Sequence, residues 1–157
     1  MKIKDIQKAV TVGYNSPFNL KANYCVVSNV SWGLFTWGEA DLIALRKSGY
    51  LIEGEIKISK QDFLKDKDKK KFNNCLVRWE KDIKEFYYIV PEELSDFAMA
   101  NTSYGVIATS ITNYGYSVKV LRGAIVSKNA VKLPEKQQVN LLRLGCFRFW
   151  KELFRND

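Results

Sequence analysis

The amino-acid sequence predicts an α/β fold, a mixed central β-sheet flanked by helices, and three observations carry that prediction. Through residues 52–59 apolar and charged residues alternate with a period of two, which is the signature of a strand with chemically opposite faces. Strand-like and helical stretches follow one another as helix, three strands, helix, strand, helix, strands, helix, an order that suits a sheet covered by helices. The 157 residues, 46% hydrophobic and 27% charged, have the size and composition of one globular unit, and no repeat, low-complexity tract or linker divides 1–157 into more than a single domain.

Ile3, Ile6, Ala9 and Val10 fall at helical spacing and predict a short amphipathic helix ending near Gly13. Asn15-Ser16-Pro17 reads as a loop, and the β-branched and aromatic residues between Ala22 and Val30 read as the first strand. Trp32 to Gly38, with two tryptophans and two glycines, is either a base-stacking loop or core packing at a strand crossing. A second strand, Glu39 to Leu45, leads through Lys47-Ser48-Gly49 into the third. The lysine-rich segment after Ser59 predicts a helix to about Phe72, broken at Asn73-Asn74. Leu76, Trp79 and Ile83 favour a further helix over Cys75 to Lys84, and Phe86 to Val90 is a buried strand. Pro91-Glu92-Glu93 starts a short helix, with its acids at the favourable end of the helix dipole. Tyr104 to Thr109 and Tyr116 to Leu121 are strands, and Pro134 opens the final helix. That helix carries a stripe of Val139, Leu142, Cys146, Trp150 and Leu153, assigned to the core in preference to a dimer interface, with a homodimer left open.

The third strand holds the chemistry. Ile52, Gly54, Ile56 and Ile58 share one face, and Glu53, Glu55, Lys57 and Ser59 share the other. A three-residue hairpin loop closing on a left-handed Gly49 pairs Arg46 with Tyr50, so opposed residue numbers sum to 96. Asp41 then falls opposite Glu55 and Glu39 opposite Lys57, whereas a slip of one residue would split the acids between faces. Opposed carboxylates repel unless a cation neutralises them, and magnesium is held by one or two carboxylates with water and phosphate oxygens completing its shell. On the repulsion argument, replacing either acid by its amide should leave the fold intact.

Asp41, thirteen residues, then Glu55-x-Lys57 resembles the core of the PD-(D/E)XK nuclease superfamily. The longer ordered series is similar to its MmcB-like branch of bacteria and their phages: Glu39-Ala40-Asp41-Leu42-Ile43-Ala44-Leu45, Ser48-Gly49-Tyr50, Glu55-Ile56-Lys57-Ile58-Ser59, Asp62-Phe63, Phe86 to Pro91 and Tyr104 to Ile107. The resemblance spans roughly residues 38 to 110. It implies a restriction-endonuclease-like fold and a Mg2+ (or Mn2+) centre. Asp41 and Glu55 would be metal ligands, the main-chain carbonyl of Ile56 a third ligand, and Lys57 the catalytic lysine. Glu39 would stand in for the acid that many superfamily members supply from the first helix, where this chain offers only Asp5 or Gln7.

Composition bounds the alternatives. The chain has no histidine, which excludes an imidazole base, a Ser-His or Cys-His pair and a histidine-ligated zinc. Cys25, Cys75 and Cys146 are too scattered for a zinc site and are expected to be reduced and mostly buried. Twenty-five Lys and Arg against seventeen Asp and Glu give a net charge of +8, which suits a polyanion. Lys60, Lys65, Lys69, Lys70 and Lys71 follow the acid strand and are candidates for phosphate-backbone contacts; a solvated lysine-rich helix face is the plainer alternative. No run is long enough to span a membrane and the first residues lack a signal-peptide core, so a cytoplasmic protein of a bacterium or phage-infected cell is expected. The expected function is metal-dependent hydrolysis of DNA in repair or phage DNA processing. A catalytically inactive nucleic-acid-binding module of the same fold is the alternative, and a protein-binding partner a third reading.

Overall fold

Six strands pair in chain order into one mixed sheet: β1 (Asn23–Val30), β2 (Ala40–Arg46), β3 (Leu51–Ile56), β4 (Ile83–Pro91), β5 (Gly105–Thr112) and β6 (Gly115–Arg122). The protein is seen in a computed structural model that describes residues 1–30, 39–67 and 81–154, the side chains of residues 66 and 67 excepted. The expected Trp32–Gly38 segment, Lys69 to Lys71 and Cys75 lie outside the described residues. Among the described residues no helix is long and apolar enough to cross a membrane.

Strands β1–β2, β2–β3 and β5–β6 are antiparallel, and β3–β4 and β4–β5 are parallel. Parallel neighbours need a crossover. The first contains α2 (Lys60–Lys67), and the second contains a 3-10 turn (Glu92–Leu94) running into α3 (Ser95–Asn101). Helix α1 (Ile3–Val12) precedes the sheet and α4 (Glu135–Leu153) ends the chain.

The helices sort to two faces. Ile6 and Val10 of α1, with Phe18, cover Leu42, Ala44, Ile52, Ile56 and Ile89. Phe63 of α2, Ala98 of α3 and Leu141 of α4 belong to the other core, with Ile43, Leu45, Leu51, Tyr88 and Val90. The Phe63 ring lies tilted 4.6 Å from Tyr88, which packs edge-on to Phe86 at 5.0 Å. Every residue of β3 is therefore buried, as a central strand covered by helices on both faces requires.

Two expectations change. Ile83 opens β4 opposite Leu51 instead of closing a helix, because a buried β-branched residue gains more from the ladder than from one more helical turn. The final helix turns its expected core stripe outward: Val139, Trp150 and Leu153 are each about half exposed, and Cys146 is exposed. Instead α4 lies on β1 through Leu141, the half-buried Leu144 and Gly145, where an added Cβ would sit 3.2 Å from Val27. Two apolar stripes run along this helix, and the glycine lets the second approach the sheet more closely.

Candidate active site

The hairpin between β2 and β3 sets the register of the site. Gly49 adopts φ +87°, the left-handed conformation that glycine takes without strain, and its N–H donates to the Arg46 carbonyl at 2.9 Å. Arg46 N–H donates to the Tyr50 carbonyl at 2.9 Å, and the pairs Leu45–Leu51, Ala44–Ile52, Ile43–Glu53 and Leu42–Gly54 follow. This is the register read from the sequence, and it puts Asp41 and Glu55 on one face.

The ladder stops at Leu42–Gly54, although β2 begins at Ala40 and β3 continues to Ile56. Continued pairing would give the Ile56 N–H to the Ala40 carbonyl. Instead Ile56 donates to Asp41 Oδ2 at 2.8 Å, so the Asp41 carboxylate takes the place of a main-chain acceptor and the two strands part at this point. β3 stays joined to β4 on its other side, where Lys57 N–H donates to the Ile89 carbonyl at 3.0 Å. The N–H and C=O of one strand residue point to the same edge, so the Ile56 carbonyl is directed into the gap beside Asp41.

Lys57 Nζ donates to Glu55 Oε1 at 2.8 Å, with the two side chains 3% and 7% exposed. Such a pair is stable only because each charge is the other's counter-ion in a place where water cannot screen it. Glu53, on the same face two residues earlier, is fully buried. Sequence periodicity puts Glu53 on this face without giving it a role.

The remaining candidates separate from this core. Glu39 is exposed, one residue before β2, and the parting of the strands means that no ladder pair with Lys57 forms. Lys60 and Lys65 are exposed on α2, and Lys60 Nζ stands over the Phe97 ring at 5.4 Å.

A second ionic group lies at the hairpin end of the same strands, on the opposite face. Arg46 Nη2 donates to both oxygens of Glu85, at 3.0 and 3.1 Å, and Tyr87 O–H donates to Glu85 Oε2 at 3.0 Å. Burial pushes the Tyr87 phenol above its ordinary range; a hydrogen bond with the Ala124 backbone partly offsets this, and the Glu85 charge adds to it. Sequence reading did not find this group, since its members come from positions 41 residues apart.

Asp41, Glu55 and the Ile56 carbonyl are hard oxygen donors where β2 and β3 stop pairing, which is the donor chemistry magnesium or manganese takes. Among the described residues no group of three or more Asp, Glu, His or Cys side chains comes together. A cation at this gap would therefore rest on two carboxylates and a carbonyl, with the rest of its shell from water and substrate.

No protein-family model matches the chain, and no curated protein matches it. Among solved structures the chain is similar to a protein of unknown function from Silicibacter pomeroyi, at 16% sequence identity and a TM-score of 0.60, covering 98% of this chain and 89% of that one. At that identity the likeness shows a shared fold alone.

Proposed function

We propose that the protein is a metal-dependent DNA nuclease of the PD-(D/E)XK type, with a restriction-endonuclease-like fold and a kinship to the MmcB-like branch. The observation that carries this reading is the parting of β2 and β3 beside Asp41 and Glu55, with Lys57 held 2.8 Å from Glu55. A bound Mg2+ or Mn2+ would supply Lewis acidity toward a phosphate oxygen and lower the pKa of a water ligand. Asp41 and Glu55 would hold it, with the Ile56 carbonyl as a third ligand. Lys57 brings a positive charge to the same place, where it offsets the charge that builds on a phosphate under attack. Lys60 and Lys65, with Lys69, Lys70 and Lys71, would track the phosphate backbone. Glu39 is the outer acid of the face, suited to a water of the metal shell. Service in DNA repair or phage DNA processing, in the cytoplasm, accompanies this reading, and a homodimer would use the exposed stripe of α4.

One observation favours the alternative, an inactive nucleic-acid-binding module. Lys57 already neutralises Glu55, so the face needs no metal to stay folded. The two readings part on incubation with single-stranded, duplex and branched DNA in magnesium, manganese or EDTA. Cleavage that requires the metal supports the nuclease; salt-sensitive binding with every substrate left intact supports the module.

A further inference from the structure

A cleft of about 490 Å³ opens beside the edge strand β1, between α1 and α4. Lys4 and Lys8 of α1 and Arg148 and Lys151 of α4 line it, against Glu152, which pairs with Lys4. Gln7 also lines it, and the Gln7 Nε2 and Arg148 Nε atoms are buried with no hydrogen-bond partner among the described residues. Buried donors are nearly always satisfied in folded proteins. Four cationic side chains against one carboxylate suit a ligand rich in acceptor oxygens and negative charge. Phe149, 63% exposed, stands at the same cleft and offers an aromatic face.

The cleft adjoins the candidate active site. Ser28–Leu42 and Val30–Ala40 pair across β1 and β2, so Asn29 lies opposite Asp41, and Asn29 lines the cleft with φ +51°. Two strand spacings, about 10 Å, separate β1 from the strand bearing Glu55.

We propose that this cleft binds a single-stranded segment of nucleic acid on its way to Asp41 and Glu55. Lys8, Lys151 and Arg148 take its phosphates, and Phe149 stacks against a base. Cationic side chains interleaved with an exposed aromatic are the means by which single strands are held without sequence reading. The volume of the cleft is that of a small-molecule site. The inference rests on the nucleic-acid reading above but not on hydrolysis.

The test is fluorescence anisotropy of a labelled oligodeoxythymidine with the full chain in EDTA, across a salt series, for the wild type, Phe149→Ala and the double variant Lys8→Ser, Lys151→Ser. The substituted side chains are exposed, and circular dichroism checks the fold. Phe149→Ala is expected to weaken binding roughly fivefold to a hundredfold. The double variant is expected to lower the slope of log affinity against log salt by about 0.7 for each phosphate that the protein no longer neutralises. Inorganic phosphate should compete poorly; competition as strong as that of unlabelled oligonucleotide would mean a small-anion site and overturn the proposal. Wild-type binding that both variants retain would overturn the cleft alone, and no binding by the wild type would overturn the nucleic-acid reading with it.

Discussion

At the hairpin end of the sheet Arg46 reaches both oxygens of Glu85, and Tyr87 adds a third hydrogen bond, so the carboxylate is held by three hydrogen bonds from two neighbouring side chains. At the other end of β2, about 17 Å along the strand, Lys57 meets Glu55 where the ladder has stopped and a second acid, Asp41, is tied to the main chain of Ile56. Both groups are ion pairs on central strands. The first closes on itself and reads as a clamp for the hairpin. The second stands where β2 and β3 have stopped pairing, with a second carboxylate and the Ile56 main chain beside it.

The largest effect is expected from Glu55→Gln. This change removes the Glu55 charge from the buried Lys57 ammonium, and a chemical or thermal melt should show a loss of about 3–5 kcal/mol. The double variant Glu55→Gln, Lys57→Met should recover most of it. The simple repulsion argument predicts an unharmed fold for Glu55→Gln; the buried pair reverses that expectation, since Glu55 is stabilised by Lys57 and not merely crowded by Asp41. Equal stability of the wild type and Glu55→Gln would show that the pair is immaterial.

Gly54→Ala tests the packing on the opposite face of the same strand. An added Cβ would fall 2.7 Å from Ile89 Cδ1 and 2.8 Å from Phe18 Cζ, and side-chain displacement there should cost about 1–3 kcal/mol. A variant as stable as the wild type would mean that Phe18 and Ile89 move freely. Arg46→Ala should cost less, about 1–2 kcal/mol, because the Arg46 side chain is 36% exposed, and should leave DNA cleavage by the folded fraction unchanged. Loss of cleavage without loss of stability would contradict the division between the two ends.

The smallest effect is on pH dependence. The folded protein holds the Tyr87 proton more tightly than the unfolded chain, whose phenol titrates near 10.0. The associated stability is therefore complete below pH 10 and declines as pH rises through the raised folded value. Melting across that alkaline window should show a slope that Tyr87→Phe reduces; an identical slope in the variant would place the titrating group elsewhere.

The hairpin was legible in the sequence because glycine at position 49 and period-two alternation are local signals, and together they specify a register that brings Asp41 to Glu55's face. The parting of the strands was not legible, since it depends on a side chain replacing a main-chain acceptor. Nor was the burial of Lys57, which is imposed by helices that arrive later in the chain. The apolar stripe of α4 misled because the residues that meet β1, Leu141 and Gly145, are outnumbered by exposed aromatics. The cleft escaped notice for a plainer reason: Lys8 and Arg148 are 140 positions apart, and only the fold brings them together.

The most direct measurement compares the DNA cleavage rates of the wild type and Asp41→Asn in manganese, at matched folded fraction. The asparagine can still accept the Ile56 N–H through its carbonyl oxygen, so the strand geometry survives while the charge is lost. The account predicts a metal-dependent wild-type activity and a fall of at least about a hundredfold in the variant. Equal rates in the two proteins would contradict the assignment of Asp41 to the catalytic centre.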